Sequence, residues 1–584
     1  MSTKLCTRNL ALLSVLAMVA CVGTVGNGGP NQAVSSGSAA GSTSASSTGG
    51  SAGGGFNGSS GGASSVTSAT CTQGGSFAPA RLTLISDDEY RNIVQDVFGV
   101  TFPATTTVST VTSDTGSYAY DESATLQTTT VQDYLRAADT VASLLTSMPP
   151  CTTGAVNATC METYLRNTLP MAWRRPVTDS EIAGLMAVFN GSTSGQARQI
   201  QLTIEAALIH PAFLFRSEIG TDAATATGNV QLTPYELASA ISFTLLNSVP
   251  DAELLAKAQD GSITQPSVLA AEVSRLTALP AVQANLMKLV SYYLDFEKLP
   301  FTVKDATAYP EFASLQPTLY QSAEMFLSNI IWTGHFSDLF TTKTIYANQA
   351  MAAAYGLPPV SGTQLQAVTP TSDMYGAGVL TQPALLAASN TEAAGDDVIH
   401  RGLWIYYNLL CAPTLPPPPA NAGSVAMALT GESTRQQASY RDGVEPGVSG
   451  SGCGAGCHGR FDPFGLITMS YDGIGRYRTT DPSTTPPGGP IDDTATVLPG
   501  VLAGTTIPTM VSGADEVAQL LMQGRQVSDC AADTLATYML EHSPDVEGSC
   551  GLQAVKDSFQ ASGSFSQLFA SILTSPAFAT RDIQ

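Results

Sequence analysis

Three short phrases constrain this chain more than anything else in it. Ser86-x-x-Glu89, Thr178-x-x-Glu181 and Thr233-x-x-Glu236 each place a hydroxyl three residues ahead of a glutamate. That spacing is a capping box. The hydroxyl accepts from the N3 amide, and the glutamate reaches back to the cap's own amide. Each phrase therefore opens an α-helix. Pro234 takes the first helical position after the third box, where its missing N–H costs nothing. Behind the first box, Tyr90, Ile93, Val94, Val97 and Phe98 recur along one helical face, and Gly99 follows as a stop. Behind the third, Leu237, Ile241 and Leu245 repeat every four residues. Further helical runs are expected near 286–294, 322–332, 517–522 and 535–540. Alternating strand patterns are rare. The fold class is mostly α, a multi-helical body with few or no strands.

Two phrases resemble each other. "LIHPAFLFR" ends at Arg216 and "LTSPAFATR" ends at Arg581. Each follows a helical run, and each is expected to close a unit by tucking a Phe under the helix. His210, beside Pro211, reads as structural rather than as a ligand.

The first residues read as an export signal. Lys4 and Arg8 precede an apolar run at 10–20 that is too short to span a bilayer as a lasting helix. The run ends "LAMVAC", which resembles a lipobox and makes Cys21 the expected lipidated residue; an ordinary secretory signal is the alternative. From 22 to 80 there is no Lys, Arg, Asp or Glu, only a Gly-, Ser-, Ala- and Thr-rich stretch. Such a segment cannot bury enough apolar surface to offset its ordering entropy, so it reads as a flexible tether. The expected division is a signal at 1–20, a tether at 21–80, helical domains at 81–150, 151–220 and 221–360, a segment with a proline run and a cysteine–histidine motif at 361–510, and a helical domain at 511–584. The proline run, "PTLPPPPA" at 413–420, should be a stiff polyproline II spacer.

With 25 basic against 47 acidic side chains, the chain carries a net charge of −22. That balance argues against nucleic acid as a partner. The expected location is the cell envelope, on a lipid anchor in the membrane.

Ten cysteines fit an oxidising compartment. Once Cys6 leaves with the signal and Cys21 is lipidated, Cys71, Cys151, Cys160, Cys411, Cys453, Cys457, Cys530 and Cys550 remain. Cys151 with Cys160 and Cys530 with Cys550 are natural pairs by proximity. Cys71 and Cys411 are left to each other if Cys453 and Cys457 are otherwise engaged, and other connectivities stay open.

Cys453, Cys457 and His458 lie in "SGCGAGCHGRFDPFG". A c-type haem site reads C-x-x-C-H, and here one further residue separates the thiols. Gly454 and Gly456 make the wider loop pliable enough to bring both sulfurs round. In the haem reading, Cys453 and Cys457 form the thioethers and His458 is the proximal iron ligand. Met469, Met510, Met522, Met539 and His542 lie downstream, and Met510, in a loop-like "TIPTM", is the favoured distal candidate. The competing readings are a Cys453–Cys457 disulfide and, third, another metal, for which only three ligands cluster. Asp472, Arg476, Arg478, Asp492 and Asp493 read as carboxylate–guanidinium pairs that hold loops, with a calcium or sugar site as the alternative. Hydrolase, metalloprotease and nucleotide-loop signatures are missing from the sequence.

The phrases "RLTLISDDEYRNIVQDVFG", "MAWRRPVTDSEI", "LTPYELASAISFTLLNSVPDAELLAKA", "GVLTQPALLAAS", "RGLWIYYNLLCAPTLPPPP", "CHGRFDPFGLITMSYDGIGRYR" and "SFSQLFASILTSPAFATR" occur in that order. Together they resemble the domains of unknown function found in planctomycete and myxobacterial exported proteins associated with planctomycete cytochrome c. The resemblance implies a helical, exported, cytochrome c-like protein. In that family the segment reads C-x-x-C-H followed by an acidic-Pro-x-Gly phrase. Cys453, Cys457, His458, Asp462, Pro463 and Gly465 match it, apart from the added residue between the cysteines.

Two functions are expected candidates. One is electron transfer through a single covalent haem c to a redox partner protein in the envelope, with a haem-dependent oxidoreductase component as a variant. The other is a non-catalytic surface or binding lipoprotein in which Cys453 and Cys457 form a structural disulfide.

Overall fold

All three capping boxes form. In a computed structural model, Ser86, Thr178 and Thr233 each accept from the amide of the glutamate three residues on, and each glutamate bonds the cap amide in return. The structure describes residues 77–102, 108, 128–145, 157–193, 195–221, 228–370, 373–393, 395, 397–415, 432–442, 457–484, 487–542 and 552–583. The expected signal, the tether, Cys21, Cys71 and most of the proline run lie outside these residues.

Strand β1 (Arg81–Leu84) leads into α1 (Asp87–Phe98), which buries Tyr90, Ile93 and Val94 and stops at Gly99. Helices α2 (Thr128–Leu144), α3 (Ala158–Ala172), α4 (Asp179–Gly191) and α5 (Gln196–Leu208) follow, with α5 packed on α2 and α4. The unit closes with the short α6 (Pro211–Leu214) and β2 (Phe215–Glu218). β2 returns antiparallel to β1 and sets Glu218 opposite Arg81. Phe213 is fully buried and meets Tyr90 edge-on at 5.4 Å. His210 caps α6 through Nδ1, which accepts from the Ala212 amide, and its ring stacks on Trp173 at 4.2 Å. Burial lowers its pKa.

The larger unit repeats the opening: β3 (Gly228–Gln231), then the third box and α7 (Pro234–Leu246). Helices α8 (Ala252–Gln259), α9 (Pro266–Thr277), α10 (Pro280–Tyr293), α11 (Phe312–Thr333) and α12 (Asp338–Thr341) build its first half. A small pair, β4 (Ile345–Ala347) with β5 (Gln366–Val368), flanks α13 (Gln349–Tyr355). Next come α14 (Pro383–Ala388), α15 (Val398–Trp404) running into a π turn at Ile405–Leu409, α16 (Thr434–Asp442) and α17 (Gly459–Leu466). Two more antiparallel pairs follow: β6 (Thr480–Asp481) with β7 (Gly489–Pro490), and β8 (Thr494–Val497) with β9 (Thr509–Ser512). Helices α18 (Gly513–Leu521), α19 (Gln526–Leu540), α20 (Leu552–Ser562), α21 (Phe565–Leu573) and the short α22 (Pro576–Ala579) complete the unit. The last strand, β10 (Thr580–Ile583), pairs antiparallel with β3.

The body is mostly α, as the capping boxes and periodicity imply. The strands are two to four residues long and pair only in twos. Segments that short carry no readable alternation, which is why the sequence conceals them. Two cores form, one from elements of the first unit and one from the larger. Helix α7 serves both. Leu237, Ile241 and Leu245 enter the larger core, while Phe243 enters the smaller. That double duty explains why α7 is apolar nearly all round.

A buried ionic cluster joins the units. Glu218 accepts from Arg81 Nε at 3.0 Å and from Arg581 Nη2 at 2.6 Å. Arg216 pairs with Glu541 at 2.6 Å and lies 3.6 Å from Glu89. Three guanidiniums thus face three carboxylates. Burial alone would push the Glu218 carboxyl up, but Arg81 and Arg581 hold it well below the usual carboxylate range. Burial does push Glu89 up, and the Arg216 charge offsets only part of that. Such clusters contribute little net stability, yet losing one partner strands a desolvated charge.

Candidate functional site

Helix α17 is mounted on α15 by backbone-to-backbone contact. A Cβ at Gly465 would lie 1.8 Å from the Val398 carbonyl oxygen, and one at Gly402 would lie 2.3 Å from that of Phe461. No side chain fits at either crossing point, so both positions require glycine. Arg401, 2% exposed, fastens the far side. It donates to the carbonyls of Leu386, Tyr471 and Asp472, the last two at 3.0 and 2.5 Å. Trp404 Nε1 bonds the Leu294 carbonyl at 2.8 Å and ties α15 to α10. Phe461, Pro463 and Phe464 are buried along α17. The platform under the cysteine–histidine motif is therefore closely packed.

Cys457 and His458 occupy the turn that opens α17. Cys457 is a free, half-buried thiol, and Cys453 lies outside the described residues. The His458 ring is mostly buried and packs at 4.9 Å from the Phe461 ring. Its Nδ1 lies 3.2 and 3.3 Å from the two carboxylate oxygens of Asp462, which is itself 4% exposed. In a neutral imidazole, donation from Nδ1 to that carboxylate would leave the lone pair on Nε2. Asp462 stands in the Asp-Pro-x-Gly phrase, but its bond to the imidazole was not anticipated. The signal was present, because residues four apart share a helix face.

Met510, the distal candidate, lies on β9 opposite Thr496 and is 77% exposed. Among the other downstream candidates, Met469 and Met539 are buried in the protein interior and Met522 packs partly against the larger core. Among the described residues no group of three or more His, Cys, Asp or Glu side chains is arranged to hold a metal ion.

The disulfides differ from the expected pairing. Cys411 is bonded to Cys530, with their Cα atoms 5.4 Å apart. This replaces Cys530–Cys550 and Cys71–Cys411. The reason is packing: α19 lies on the π turn that precedes Cys411, and Gln526 Nε2 donates to the Leu410 carbonyl at 3.1 Å. One turn of α19 further on, Cys530 meets Cys411. Pairing by closeness in sequence cannot see that contact. Cys160 is disulfide-bonded, while Cys151 and Cys550 lie outside the described residues.

The remaining acidic groups hold loops. Asp472 pairs with Arg476 at 2.7 Å, and Arg476 also pairs with Glu311. Arg478 donates to the Met469 carbonyl. Asp492 pairs with Arg435 at 3.1 Å, and Asp493 accepts from Ser470 at 3.0 Å.

Four family models match the chain, each described as a protein of unknown function. PSD3 (DUF1587) covers residues 83–146 and PSD5 (DUF1595) covers 160–218. PSD4 (DUF1592) covers 232–357, and PSCyt3 (DUF1588), at 376–481, contains α15, α17 and the cysteine–histidine motif. No curated protein and no solved structure matches. The order and extent of the four matches show that the chain belongs to the planctomycete cytochrome c-associated family built from PSD- and PSCyt-type domains.

Proposed function

We propose that this protein carries one c-type haem on Cys453 and Cys457, with His458 as proximal ligand, and exchanges electrons with a redox partner in the cell envelope. Lipidated Cys21 would tether it to the membrane there. One observation carries the reading: Cys457 is an unbridged thiol beside a histidine whose ring is already oriented by a buried carboxylate. A staple between the two cysteines would have consumed that thiol. Haem c, when bound, supplies a one-electron couple. The chain supplies the rest. Cys453 and Cys457 would hold the group covalently, His458 would offer Nε2 to the iron, and the close α15–α17 crossing supports the turn that carries Cys457 and His458. The acidic surface favours a partner with a basic docking face.

Mature protein from a cytochrome-competent cell should stain for haem on a denaturing gel and give a pyridine haemochrome spectrum. Cys457→Ala together with Cys453→Ala should abolish both. A colourless wild-type protein, with a mass showing a Cys453–Cys457 bridge, would overturn the reading in favour of a structural disulfide on a binding lipoprotein.

A further inference from the structure

We propose that Asp462 is a positioning residue that sets the orientation and donor strength of His458, and so lowers the potential of the site; this rests on the haem reading above. The geometry has three parts. Asp462 presents both carboxylate oxygens to Nδ1, at 3.2 and 3.3 Å. It is 4% exposed and lies between the buried Phe461 and Pro463, so water screens the contact poorly. It also lies one turn on from His458, on a helix that crosses α15 in close backbone contact at Gly402 and Gly465.

A histidine ligand usually gives its second ring proton to a carbonyl, a carboxylate or water. A charged acceptor pulls the Nδ1 proton harder than a neutral carbonyl does, which makes Nε2 the more basic donor. A stronger donor favours the oxidised, more positive iron, and the midpoint potential falls. Met510, the favoured distal candidate, is exposed on β9. The hydrogen bond behind the proximal ring is one of the levers that tune a haem site.

The test uses the full mature chain and its Asp462→Asn and Asp462→Glu variants. A haemochrome spectrum on each comes first, then a redox titration. Asparagine keeps the shape and removes the charge, so the midpoint should shift to a higher potential, while glutamate should stay close to wild type. Equal midpoints in wild type and Asp462→Asn, with intact haemochromes, overturn the proposal and leave the haem reading standing. No haemochrome in wild type removes both. The nitrogen NMR shifts of the His458 ring decide the matter if Asp462→Asn does not accumulate. In the neutral ring, a proton on Nδ1 of the wild-type chain supports the proposal, and a proton on Nε2 alone overturns it whether or not haem is present.

Discussion

Two closures in this molecule are built alike and span very different lengths of chain. At residues 210–218, a capped four-residue helix buries Phe213 and delivers Arg216 into β2, which pairs with β1. At residues 575–583, the same design buries Phe578 and delivers Arg581 into β10, which pairs with β3. In each case the partner strand is the one that feeds a capping-box helix. Arg81 and Glu218, within the first closure, are 137 residues apart. Arg581 and Glu218, which link the second closure to the first, are 363 apart. The shorter loop costs less entropy to close, though the penalty grows only with the logarithm of length.

The difference shows where the second closure finds support. Its strand is held on both edges. β3 lies on one side, and on the other Asp582 exchanges backbone hydrogen bonds with residues 78 and 80, just ahead of β1. Its arginine reaches a carboxylate that belongs to the first closure. The two units are thus stitched at Glu218.

Glu218→Gln tests that stitch most severely. It leaves the buried Arg581 without its counter-charge and Arg81 with only Glu541, 3.6 Å away, and denaturant unfolding should show a loss of about 3–5 kcal/mol. A change confined to the surface range would mean that the cluster is wetter than its burial indicates. Next in size is a double-mutant cycle on Arg81→Met and Arg581→Met. Because both guanidiniums share one carboxylate, their effects should fail to add by roughly 0.5–3 kcal/mol. Strict additivity would make the closures independent and dissolve the comparison. The smallest effect is expected at the caps. Ser575 accepts from the Phe578 amide at 3.3 Å, and Ser575→Ala should cost about 1 kcal/mol. His210→Ala should cost more than Ser575→Ala, because His210 also stacks on Trp173. Equal losses would mean that the stacking contributes nothing.

Much of the helical body was legible because its signals are local. A capping box needs four consecutive residues, and its two hydrogen bonds close within them. The apolar stripe of α1 and the stop at Gly99 are likewise set by near neighbours. The motif of Cys457 and His458, and the i, i+4 relation of His458 to Asp462, are equally local, although only the first was read as chemistry.

By itself, then, the sequence determined a mostly helical chain with a thiol–imidazole motif in its C-terminal third, ahead of which lies a charge-free stretch unsuited to packing. Only the tertiary structure decided which cysteines meet, that the two Pro-Ala-Phe phrases end in paired strands, and that three arginines converge on three carboxylates. The physical reason is range. Capping and helical periodicity are fixed by residues within one or two turns. Cys411–Cys530 and Arg581–Glu218 exist only because packed helices bring distant backbone together, and no short window of residues records that packing.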